Sequence, residues 1–116
     1  MKFDKGLVAG SSTMLILSLL EGGDMYGYQM IEELARRSND TFQMKEGTLY
    51  PILHALEKDK CLSSYRQEAP SGRERKYYKL TRRGKEVLEE KRTEWAAFHH
   101  GVESVLAHGA ALSSFA

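Results

Sequence analysis

Three features of this 116-residue sequence predict a mainly helical chain with one small two-stranded β-hairpin. Residues 45–59, KEGTLYPILHALEKD, read as a short two-faced helix. At about 100° per residue, Leu49, Ile52, Leu53 and Leu56 share one side, and Gly47, Tyr50, Pro51, His54 and Lys58 share the other. Directly after it, residues 62–67 and 75–80 read as strands around the small tip Pro70-Ser71-Gly72-Arg73. Finally, Leu88, Trp95, Phe98, Val102 and Val105 recur at heptad intervals along a long helical stretch.

The elements follow in order. Residues 11–21, SSTMLILSLLE, are apolar around most of a helix, which predicts a largely buried one. Ser11, Ser12 or Thr13 is the expected cap, and Gly22-Gly23-Asp24 the stop. From Tyr26 to Arg37, Gly27, Met30, Ile31, Leu34 and Ala35 line one face of an amphipathic helix ended by Ser38-Asn39-Asp40. Pro51 is best tolerated in a first turn, which places the start of the third helix near Gly47 or slightly before. In the hairpin, strand alternation sends one of Tyr77 and Tyr78 inward and the other outward. Thr81 is positioned to cap the last helix, expected from about Arg82 to His108 and so about 40 Å long. Its apolar stripe exceeds what a small three-helix core can cover and needs a partner, most simply a second copy. Residues 109–116, GAALSSFA, are expected to be a flexible tail.

Helix, helix, helix, strand, strand, long helix is the order of a winged helix-turn-helix with a dimerisation helix. The expected division is a DNA-binding domain over residues 1–81 and a dimerisation helix over 82–108. The net charge of +1 says little, but its distribution says more. Residues 60–92 carry eleven Lys and Arg against five acids, whereas residues 1–59 carry six against nine. A cationic segment beside a helix face with no acid among its outward residues fits a polyanion, with the helix in a DNA major groove and the hairpin over the backbone. A solvated basic face is the plainer explanation of the charge alone.

Other classes find little support. No catalytic constellation or phosphate-binding glycine loop is present, so an enzyme is not expected. No stretch approaches the ~20 apolar residues of a membrane span, and the N-terminus lacks a signal-peptide run. A soluble, cytoplasmic protein without cofactor is the expectation. A single cysteine, Cys61, rules out an internal disulfide and fits a small buried side chain better than a redox sensor. Adjacent His99 and His100 point about 100° apart on a helix, so no metal site is expected.

At this point the sequence resembles the PadR family of bacterial transcriptional regulators, in the short form with a single C-terminal helix. The matching residues are Met25-Tyr26-Gly27-Tyr28, Glu46-Gly47-Thr48-Leu49-Tyr50-Pro51, Leu56-Glu57-Lys58-Asp59, Ser71-Gly72-Arg73-Glu74-Arg75-Lys76-Tyr77-Tyr78, and Leu80-Thr81 with Gly84. Together they are specific, though no single one is. The resemblance implies a homodimeric repressor on a two-fold operator, released when a small molecule or stress signal intervenes. It also implies a role for Trp95, since a tryptophan at that place in the multidrug-binding branch stacks planar ligands between subunits. Interface packing is the plainer role for Trp95, and a small aromatic effector is the partner the first role would require. No role carries over to Cys61 or to His99 and His100.

On this reading Lys45, Arg73, Arg75, Lys76 and Lys79 meet phosphates or the minor groove, with Ser71 and Gly72 at the wing tip. Thr48, Tyr50, Pro51 and His54 face base edges, and Tyr26 and Gln29 on the supporting helix bond phosphates. Tyr50 has a competing role in packing against its own domain. Glu46 and Glu57 are expected to hold neighbouring cations. A winged helix used for protein interaction is the rival reading; it explains the fold and the seam but not the basic wing.

Overall fold

The computed structural model describes residues 3–113, with side chains through His108. The chain runs α1 (Lys5–Glu21), β1 (Met25–Tyr26), α2 (Gly27–Arg37), α3 (Glu46–Lys58), β2 (Leu62–Glu68), β3 (Glu74–Leu80) and α4 (Arg82–Ser113).

α1 begins six residues earlier than the expected Ser11. Its cap is Asp4, whose Oδ1 accepts from the Gly6 amide at 2.8 Å. Ser11 and Ser12 lie inside the helix and turn their hydroxyls back onto it, Ser12 donating to the Val8 carbonyl at 2.6 Å. A buried serine that bonds its own helix has no capping role. Ile16, Leu17, Leu19 and Leu20 of α1 are buried, as the all-round apolar pattern predicts.

The sheet has three strands, in the order β1-β3-β2, rather than the two expected. Met25 pairs with Tyr78 and Tyr26 with Tyr77, so the residues just before α2 form the third strand. Two residues are too short a run for strand periodicity to be legible. The hairpin is in register from Leu62–Leu80 to Glu68–Glu74. Its tip closes with the Gly72 amide donating to the Ala69 carbonyl at 2.8 Å, and Gly72 takes φ +87°, which favours glycine. Alternation resolves the two tyrosines: Tyr78 is buried, and Tyr77 lies on the outer face between Tyr26 and a stacked Tyr65. The Tyr65 hydroxyl donates to Asp24 at 2.7 Å, bracing β2 to the turn before β1.

One core joins α1, α2, α3, the inner sheet face and the first turns of α4. Thr81 caps α4 as expected, its Oγ1 accepting from the Gly84 amide at 3.0 Å. The same hydroxyl lies 2.7 Å from the Lys60 carbonyl, tying the cap to the start of β2. Gly84 lies against the Cys61 carbonyl, where any Cβ would collide with backbone. Leu88 is fully buried in this core. It is therefore not available to the dimerisation seam expected from the heptad count, because at Leu88 the helix still packs on its own domain. Arg92 fixes the start of the projecting part, with Nη2 2.8 Å from Glu21 on α1 and Nη1 2.7 Å from Glu89. α4 then continues to Ser113, five residues beyond the expected end, about 48 Å in all. Residues 109–113 of the expected tail are thus helical, and the remainder of that tail, residues 114–116, lies outside the described residues.

Candidate nucleic-acid interface

α3 divides as its sequence predicts. Leu49, Leu53 and Leu56 are buried and Ile52 half-buried, while Gly47, Thr48, Pro51, His54 and Lys58 are exposed. The start differs in one respect. Pro51 is the sixth residue of the helix, past the first turn. Lacking an N–H, it leaves the Gly47 carbonyl without its usual helical donor. That break lies on the exposed side, where water or a ligand can serve the free carbonyl. Lys45 precedes the helix in extended conformation and makes no side-chain cap, so its ammonium remains available beside the first turn.

Tyr50 differs from its neighbours on the exposed face. It is half-buried, and its ring lies against Gly27 at the start of α2. Burial, ahead of the nearby Glu46 charge, pushes its phenol above the ordinary range. The packing role weighed for Tyr50 is therefore the one its surroundings support most directly. Tyr26 is similarly engaged: the Arg75 guanidinium stands over its ring, 4.4 Å from the centroid, and the ring meets Tyr77 edge-on. Gln29 is half-buried, and its Oε1 is buried without a hydrogen-bond partner among the described residues.

The wing cations divide into held and free. Lys76 stands 3.5 Å from Glu57, which fits the cation-holding role expected of that acid. Arg66 pairs with Glu74 at 3.5 Å across the hairpin. Arg73 and Lys79 are exposed and have no ion-pair partner among the described residues. Ser71 and Gly72 are exposed at the tip. Residues from β1, α2, α3 and the wing then share one concave surface of about 570 Å³: Tyr26 at the end of β1, Gly27 at the start of α2, Glu46 and Tyr50 on α3, and Arg73 to Lys76 on the wing. Of the residues that the sequence nominates, Tyr26, Tyr50, Arg73, Arg75 and Lys76 meet on this surface, whereas Lys45 and Thr48 line a separate cavity with α1 and Pro51 another beside the first turns of α4.

A second surface lies on α4. Trp95, Phe98, Val102 and Val105 are exposed, Phe98 at 69% and Val105 at 71%. Leu106, outside the heptad count, is 63% exposed beside them. Leu7, on the part of α1 not expected to be helical, is 66% exposed. With Gly10 and Met14 it forms one wall of a cavity of about 480 Å³ whose other wall is Lys91, Glu94, Trp95 and Phe98. Leu7 and Met14 are seven apart, a spacing that could have revealed this face. The Trp95 ring is stacked on His99 at 4.8 Å. Among the described residues no cluster of three or more His, Cys, Asp or Glu is placed to hold a metal, and no helix is long and apolar enough to cross a membrane. Cys61 is buried.

Known proteins resemble this one in sequence, and solved structures resemble it in fold. The model of the "Transcriptional regulator PadR-like family" matches residues 16–90. Transcriptional regulator Rv3488 of Mycobacterium tuberculosis is 36% identical over 77 residues, 66% of this chain and 68% of that protein. The structure of a transcriptional regulator from Clostridium thermocellum covers 86% of this chain and 97% of its own, with TM-score 0.80 and 30% identity. That of a PadR family transcription regulator from Clostridium difficile R20291 covers 83% and 98%, with TM-score 0.71 and 38% identity. The family comprises transcriptional regulators and not enzymes. With the winged helix, the third strand and the long last helix all in place, this chain belongs to the PadR-like family of transcriptional regulators.

Proposed function

We propose that this regulator is a homodimeric, sequence-specific DNA-binding repressor in the cytoplasm, released from a two-fold operator by a small-molecule or stress signal. The observation that carries the DNA reading is the exposed face of α3 formed by Thr48, Pro51 and His54, next to a wing whose tip Arg73 is exposed and without an ion-pair partner among the described residues. In this reading Thr48, Pro51 and His54 meet base edges in the major groove. Lys45, Arg73 and Lys79 meet phosphates, with Tyr26 and Gln29 beside them on α2, and Ser71 and Gly72 let the tip approach closely. Residues 1–81 supply this binding unit and α4 the contact between subunits.

The dimer reading is supported by the exposed stripe of Trp95, Phe98, Val102, Val105 and Leu106 on a helix whose far half projects from its own domain. A continuous apolar stripe of that length on a soluble helix marks an interface. The effector reading is supported by the cavity against Trp95, which is of a size to take a small aromatic molecule. Mobility shift with random-sequence duplex at low salt tests the DNA reading. Retardation that weakens as salt rises is expected, and its absence would favour a winged helix used for protein interaction.

A further inference from the structure

Glu57 occupies the last turn of α3 and faces both strands of the wing. The Ser64 hydroxyl on β2 donates to its Oε2, and the Lys76 ammonium on β3 lies 3.5 Å from its Oε1. The Ser64 hydrogen bond, and after it the Lys76 charge, hold the Glu57 carboxyl below the ordinary carboxylate range. The carboxylate is therefore charged at neutral pH and available to both partners. Lys76 has a second restraint, since its ammonium stands over the Tyr78 ring, 5.3 Å from the centroid. Ser64 is the residue paired with Tyr78 across the hairpin, so carboxylate, hydroxyl, ammonium and ring form one cluster at the joint between helix and wing.

We propose that Glu57 is a positioning residue that fixes the wing against α3 and withholds Lys76 from nucleic acid, leaving Arg73 and Lys79 to make the wing's phosphate contacts. This inference rests on the DNA reading. Its physical basis is charge. If Lys76 left Glu57 for a phosphate, a bare carboxylate would remain at the joint, facing the negative potential of the duplex. Held together, the two charges sum to zero and leave only the short-range field of a dipole there. The pair thus carries geometry rather than affinity: it sets the angle at which the wing leaves the recognition helix.

The salt dependence of duplex binding separates these roles, because each phosphate contact adds about 0.9 to the log–log slope. The experiment is a fluorescence-anisotropy titration of a random-sequence duplex at several salt concentrations. It uses the full chain and Arg73→Ala, Lys76→Met, Glu57→Gln and the Glu57→Gln/Lys76→Met double variant. Arg73→Ala is expected to lower the slope by about one. Lys76→Met should leave it unchanged. Glu57→Gln, which keeps an oxygen for Ser64 but removes the charge, should raise it by about one by freeing Lys76. The double variant should return it to the wild-type value. If Lys76→Met lowers the slope as Arg73→Ala does, or Glu57→Gln leaves it unchanged, the proposal is overturned while DNA binding stands. No salt-dependent binding by the wild-type chain would overturn the DNA reading and this inference together. Lys76→Met keeps the proposal falsifiable should Glu57→Gln fail to fold.

Discussion

The hydroxyl end of the Tyr50 ring lies directly over Gly27, so that a β-carbon on Gly27 would stand 2.8 Å from the ring's Cζ. Glycine opens α2 because tyrosine from α3 occupies the space a side chain would fill. Gly27→Ala should therefore cost about 1–3 kcal/mol through overpacking. In a Tyr50→Ala background the same change should be neutral, or stabilising by about 0.5 kcal/mol, as expected for alanine replacing glycine in a helix. Urea unfolding of the four proteins measures this. Equal costs in both backgrounds would mean that Tyr50 is not what excludes a side chain at position 27.

Leu88 and Phe98 share a heptad pattern but not a fate. Leu88 is fully buried in its own domain and Phe98 is 69% exposed. Leu88→Ala should cost about 2–5 kcal/mol of stability and leave the sedimentation of the folded protein unchanged. Phe98→Glu should turn the proposed dimer into monomer in sedimentation velocity, since it places a charge within the apolar stripe. A monomeric wild-type chain at tens of micromolar would refute the dimer.

Hydrogen bonds from Arg36 and Arg37 hold the Glu33 carboxyl at about 2, below its ordinary value of 4.5. A carboxylate whose folded value is depressed stabilises the fold fully above the unfolded value and loses that contribution as it takes up a proton. Stability from Glu33 should thus be present above about pH 4.5 and fade as pH falls toward about 2. Wild type and Glu33→Gln, melted across that range, should differ most at the upper end and converge at the lower. A difference that does not vary with pH would contradict the ion pairs.

Arg73 at the wing tip is predicted to lower affinity for all sequences when replaced by alanine, because phosphate contacts position the protein without identifying bases. If the tip enters a minor groove, the loss should be larger on an A·T-rich flank, where the groove is narrow and its potential more negative. Titration of duplexes with A·T-rich and G·C-rich flanks checks this, and an undiminished affinity on both would remove Arg73 from the interface.

Much of this was legible in the sequence because periodicity reports burial. The split of α3 into Leu49, Leu53 and Leu56 against Thr48, Pro51 and His54 follows from 100° steps alone, and Thr81 announced the cap of α4. What escaped depended on contacts between distant segments. Met25 and Tyr26 form a strand only because β3 lies beside them, and two residues carry no period. Asp4 caps α1 although three later hydroxyl residues offered the same chemistry. Leu88 fits the heptad but is claimed by the core, and Tyr50 lies on the polar side yet packs against a glycine 23 positions earlier. Likewise, that Lys76 is held and Arg73 is free cannot be read from a run of cations, since the difference lies in Glu57 on another element.

The exposed face of α3 is proposed to read duplex sequence. The most direct test is the ratio of affinities for a duplex selected from a random pool and for a scrambled duplex, measured for wild type and His54→Ala at one salt concentration. Wild type is expected to prefer the selected site by roughly 10³ or more. The selected site should contain two half-sites centred about one helical turn, or a multiple of it, apart. His54→Ala should lose about 1–3 kcal/mol on the selected duplex and little on the scrambled one. Equal affinity of the wild-type chain for the two duplexes, or equal losses on both in His54→Ala, would contradict this proposal.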